Sequence, residues 1–190
     1  MDAAVQAFAD RGFNGASVEE ISELAGFTRG AFYSNFDSKE DLCVALLREL
    51  GDQYVSAAEA AIAQVLDEDD RPIDELIEVA MDTFLAIQPQ DRNSQLLELE
   101  MRLHAARNPE FAVVYNRLNC EMRDVFAGLI EEGLRRRGVR LSVPPAQAIG
   151  LLHAVHDAAS FDKVLGRSEQ GAGTDDLKAL LHNLVRPLDD

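Results

Sequence analysis

The chain has no run approaching the roughly 20 apolar residues of a membrane-crossing helix, and no apolar leader opens it. Both absences point to a cytoplasmic protein with no membrane partner. Cysteine is scarce: Cys43 and Cys120 are the two, each within a helical apolar pattern. In a reducing compartment they are expected as buried thiols, joined neither to each other nor to a metal. There is no glycine-rich phosphate loop and no serine-nucleophile motif. The four histidines, His104, His153, His156 and His182, lack an acid at a triad or metal spacing. His153, His156 and Asp157 come nearest, and polar groups at a helix–helix interface explain them as well. No catalytic residue, metal or cofactor is therefore expected. Period-two alternation, repeats and low-complexity tracts are missing too, which leaves an all-α fold.

Positive charge is the remaining shortage. Lysine and arginine number 18 against 34 acids, a net charge of −16. Residues 1–50 hold nine acids and four bases (Arg11, Arg29, Lys39 and Arg48), a balance of −5. Affinity for arbitrary nucleic acid rests on phosphate neutralisation, so it should be weak.

Hydrophobic residues make up 47% of the chain, enough for a packed core. The densest signal lies at residues 17–36. Ser17 with Glu20 reads as a capping box, and Val18, Ile21, Leu24 and Ala25 recur at helical spacing. Gly26 is a stop and Thr28 a second cap. Phe32 and Phe36 fall on one face of the next helix, leaving Arg29, Gly30, Ala31, Tyr33 and Ser34 to point elsewhere. A first helix over 2–11, broken by Gly12–Gly15, completes a three-helix unit with Phe8, Ile21, Leu24, Phe32 and Phe36 as its core. This is a helix-turn-helix, with its second helix suited to a DNA major groove. Thr28, Tyr33 and Lys39 are expected on phosphates and Arg29 on a base edge, with Ser17, Gly30, Ala31, Ser34 and Asn35 completing the interface.

The run GFNGASVEEISELAGFTRGAFYSNFDSKEDL resembles the DNA-binding domain of the TetR (tetracycline-repressor-like) family of transcriptional regulators. Its strongest part is Thr28–Leu42, with a capping hydroxyl, Gly30, the Phe32-Tyr33 pair, Phe36, Lys39 and an acid after it. Asn35 stands where many members carry His. The resemblance implies a helix-turn-helix domain over 1–45 and a helical ligand-binding and dimerisation domain over 46–190. Members usually have a further basic turn and an arm ahead of the position of Asp2, so the natural protein is expected to extend upstream.

Beyond the motif, a helix capped by Ser38 runs to about Leu66, a lever of roughly 40 Å. The acidic stretch Asp67–Pro72 follows, then helices over about 73–87, 94–107, 109–137, 144–165 and 174–186, nine in all. Met81, Phe84, Met101, His104, Phe111, Tyr115, Met122 and Phe126 either fill a core or line an adaptable cavity. The resemblance implies the cavity, holding a small apolar or amphipathic effector. The last two helices combine small residues with a leucine stripe: Leu151, Leu152, Val155, Ala159, Leu177, Leu181 and Leu184 are expected to form a homodimer interface. The function read from all this is a ligand-responsive repressor of a palindromic operator in double-stranded DNA. A helical protein-interaction module without DNA binding, or a small helical enzyme using the second-half cavity, are the alternatives.

Overall fold

The structure, a computed structural model, describes residues 1–67, 72–86, 88, 91–167 and 174–187. Nine helices occur among them: α1 (Asp2–Gly15), α2 (Val18–Leu24), α3 (Arg29–Tyr33), α4 (Lys39–Asp67), α5 (Ile73–Ala86), α6 (Arg92–Arg107), α7 (Pro109–Arg136), α8 (Pro145–Val164) and α9 (Thr174–Leu184). The expected linker over 67–72 and connector over 166–173 lie largely outside the described residues.

Two three-residue strands escaped the sequence reading. β1 (Val139–Leu141) and β2 (Val185–Pro187) pair antiparallel, Arg140 opposite Arg186. Three residues are too few to show an alternating pattern, and β1 follows a turn at Gly138 with φ +68°. No described helix is long and apolar enough to cross a membrane.

The chain divides into two compact units, and neither is a continuous segment. The first is Met1–Asp52 with Pro89–Asn119; the second is Gln53–Gln88 with Cys120–Asp190. The division expected at 45/46 follows the chain, whereas the units do not. α4 gives Leu42, Cys43 and Leu46 to the first core and buries Ala58 in the second unit. α7 likewise gives Phe111 to the first core.

In the first unit Ala4, Ala7 and Phe8 of α1 pack with Phe13, Ala16, Ile21, Phe32 and the α4 residues just named. α6 closes this core with Leu97, Met101 and Ala105. Leu24 is not part of it, being 51% exposed. The buried pair of α2 is Ile21 and Ser22, adjacent in sequence, so the buried face is centred between them and Leu24 lies past its edge. Cys43 is buried, and burial pushes its thiol well above the ordinary range. Cys120 departs from expectation: it is exposed, with Arg123 Nη2 donating to its Sγ at 3.5 Å.

In the second unit Met81 of α5, Leu152 of α8 and Leu177 of α9 form the buried centre, flanked by Phe84, Leu85, Val155, Leu180 and Leu181. An ion pair between Lys178 and Glu78 ties α9 to α5.

Candidate nucleic-acid interface

Local rules place α2 and α3. Ser17 Oγ accepts from the Glu20 amide at 3.1 Å, satisfying one of the free N–H groups of the first turn. Glu20 does not return the bond as a capping box would; its carboxylate accepts from Arg11 Nε at 3.2 Å. At the other end Gly26, φ +72°, lets the Phe27 amide reach Ser22 O at 2.8 Å while its own amide reaches Glu23 O at 3.0 Å. That pair of bonds is a Schellman stop, and only glycine adopts its backbone without strain. Thr28 Oγ1 then accepts from the Ala31 amide at 3.2 Å and starts α3.

α3 is short, ending at Tyr33 with Ser34 as its cap, so that Phe36, expected on its buried face, lies beyond it. Ser34 Oγ and Asn35 Nδ2 each donate to Ala31 O at 2.8 Å, so both side chains fold back on the last carbonyls. Phe32 is buried; Arg29, Gly30, Tyr33, Ser34 and Asn35 are exposed and Ala31 is half-buried. A Cβ built on Gly30 meets nothing closer than Thr28 Oγ1 at 3.7 Å. The fold therefore does not require glycine here, although it costs about 1 kcal/mol of helix propensity relative to alanine.

Three of the four cations of residues 1–50 are engaged within the fold. Arg11 pairs with Glu20, and Arg29 Nη1 lies 2.5 Å from Glu19 Oε1. Arg29 also lies over Tyr33, its Cζ 5.4 Å from the ring centroid. Lys39, expected on a phosphate, turns inward instead. Its Nζ donates to Phe13 O and Ala16 O, both at 2.7 Å, over the Phe13 ring.

Those two carbonyls belong to the bend that feeds Ser17. α1 breaks at Gly12, φ +70°, and the Ala16 amide closes a turn on Gly12 O. From α6, Glu100 Oε2 accepts from the Phe13 amide at 3.0 Å, and a Cβ on Gly12 would meet that oxygen at 3.1 Å. Glu100 and Lys39 thus hold the two sides of the bend that sets where α2 begins. The sequence reading missed Glu100, which lies 87 residues from its partner and carries no local signal.

His104, expected in an effector cavity, lies in this same region. It is buried and stacked on Phe13 at 3.7 Å, with Phe111 at 4.8 Å. Its Nε2 is 3.5 Å from Glu40 Oε1 but makes no hydrogen bond. Burial pulls its pKa below the usual imidazole value, against the carboxylates of Glu40 and Glu100 and with Lys39.

The expected cavity residues therefore divide. Met101, His104, Phe111 and Tyr115 pack beneath the helix-turn-helix, because α6 and the start of α7 belong to that unit. Met81 and Phe84 sit in the second unit, where half-buried Met122 and Phe126 also lie. Phe84 meets His153 and His156 edge-on at 5.2 and 5.9 Å, and His156 Nε2 is 3.0 Å from Ser160 Oγ.

The expected dimer residues divide as well. Leu152, Leu177 and Leu184 are buried within their own chain, while Val155, Ala159 and Leu181 are half-buried and Leu151 is exposed. The uncovered stripe of α8 is Leu151, Ala154, Ala158 and Phe161, continued by Leu165 at its C-cap, a three-four repeat along one face.

Comparison with known proteins agrees with this geometry. Residues 1–46 match the family model of bacterial regulatory proteins of the tetR family, and residues 71–187 match the tetracyclin repressor-like C-terminal domain. The HTH-type transcriptional repressor KstR2 of Rhodococcus jostii is 27% identical over 75% of this chain and 67% of its own length. The HTH-type transcriptional repressor AcnR of Corynebacterium diphtheriae is 29% identical over 95% of this chain and 85% of its own. Among solved structures, the transcriptional regulator FadR of Bacillus subtilis, crystallised with stearoyl-CoA, shares the fold with a TM-score of 0.72. It is 20% identical, and the match covers 95% of this chain and 93% of that one.

Proposed function

The chain belongs to the TetR family of bacterial regulatory proteins, and on that premise we propose that it is a cytoplasmic, dimeric repressor released from a palindromic operator by a small effector. The observation that carries the reading is the exposed face of α3. Arg29, Gly30 and Tyr33 form a surface whose bare glycine the fold itself does not demand. Two copies related by a two-fold axis would address successive major grooves.

The effector is a small apolar or amphipathic molecule held in the second unit near Met81 and Phe84. It acts by binding one conformation better than another, and α4 and α7, which contribute residues to both units, are the elements able to report it.

One observation favours a second reading, a protein-interaction module without DNA binding: Arg11 and Arg29 are already paired with acids. Selection of bound duplex from a random pool separates the two. The repressor reading predicts recovery of an inverted repeat with half-sites about one helical turn or a multiple of it apart. Recovery of no sequence above background contradicts it and favours the module.

A further inference from the structure

We propose that Glu19 is a positioning residue for sequence readout, holding Arg29 away from phosphates and aimed at a guanine. The inference rests on the DNA-binding reading above and deepens it. Arg29 is the first residue of α3, and its guanidinium is bracketed on two sides before any DNA arrives. Glu19, from the first turn of α2, takes Nη1 at 2.5 Å. Tyr33 lies beneath the guanidinium and is itself set edge-on against buried Phe32 at 5.3 Å. Both Arg29 and Glu19 are more than half exposed, so the pair lies on the surface that α3 presents.

A carboxylate there is a cost for any duplex, because phosphates repel it. The cost has a selective consequence. If Arg29 swings to a phosphate, it abandons Glu19 and leaves an unpaired negative charge near the backbone. If it stays paired, its remaining N–H donors can still engage the O6 and N7 acceptors of guanine. The phosphate mode is penalised on every sequence and the guanine mode is not. Discrimination arises from the penalised alternative as much as from the favoured contact. The fixed rotamer adds to this, since a long side chain ordered in advance loses less freedom on binding.

The test uses full-length protein and the site recovered from the random pool, with each guanine in turn replaced. Glu19→Gln keeps the shape and removes the charge. It should raise affinity for unrelated duplex several-fold and steepen the salt dependence by about one unit as Arg29 moves to a phosphate. Preference for guanine at one position should fall about tenfold. In an Arg29→Ala background the same change should leave base preference unaltered, because Glu19 acts through Arg29. Circular dichroism of each variant checks that α2 and α3 still form. If Glu19→Gln leaves the guanine preference intact, or weakens every site equally, the proposal is overturned while the repressor reading stands. If the wild-type protein selects no sequence, both are overturned.

Discussion

Lys39 shows what a single residue can conceal. Its position after Phe36 and Ser38 suits a phosphate contact, yet its ammonium bridges the carbonyls of Phe13 and Ala16. Charge-assisted hydrogen bonds of this kind contribute about 1.5–3 kcal/mol each, less where water competes. Lys39→Ala should lower the unfolding free energy in urea by about 1–3 kcal/mol, and an unchanged midpoint would refute the clamp. His104 adds a pH dependence. Its folded pKa lies below the usual 6.5 because burial disfavours the cation, so the unfolded chain binds more protons in the window beneath that value. Its contribution to stability is complete above about 6.5 and is lost as pH falls towards the folded value. Glu40 and Glu100 oppose the shift and Lys39 reinforces it. Unfolding at pH 7 and pH 5 should therefore differ more for the wild type than for His104→Phe; equal differences would show that His104 does not titrate as inferred.

At the scale of elements, the helix starts and stops were readable because their signals are local. Ser17, Gly26, Thr28 and Pro109 mark ends within a few residues of those found. What escaped depends on partners distant in sequence. Leu24 carried the right spacing but lies past the edge of a buried face fixed by α1 and α3. Leu152 and Leu177 read as a stripe awaiting a second chain, whereas α5 covers them through Met81. The uncovered face of α8 instead mixes Leu151, Phe161 and Leu165 with two alanines, a pattern diluted by small residues. If α8 makes the dimer, Leu151→Glu should give a folded monomer by light scattering, with helical circular dichroism retained. A dimer that survives this change has its interface on another element. Leu181→Glu is the poorer probe, since Leu181 packs on the chain's own core and its loss mixes stability with assembly.

For the whole molecule, family and fold class were legible from the first fifty residues, but the division into units was not. Pattern along the chain cannot show that Pro89–Asn119 returns to pack with Met1–Asp52. That return explains why Met101, His104 and Phe111 belong to the core of the helix-turn-helix unit and not to that of Met81. The net charge of −16 is the other molecular property that bears on function. With Arg11 and Arg29 paired to acids at the surface and Lys39 turned inward, residues 1–50 offer little uncompensated positive charge for indiscriminate binding, so any tight complex must come from a specific fit. Binding of the purified protein to duplex carrying its gene's own upstream region, against a scrambled duplex at physiological salt, tests this most directly. The account predicts a preference of about a thousandfold or more for the upstream duplex, with scrambled DNA bound hardly at all. Equal affinity for both duplexes would contradict it.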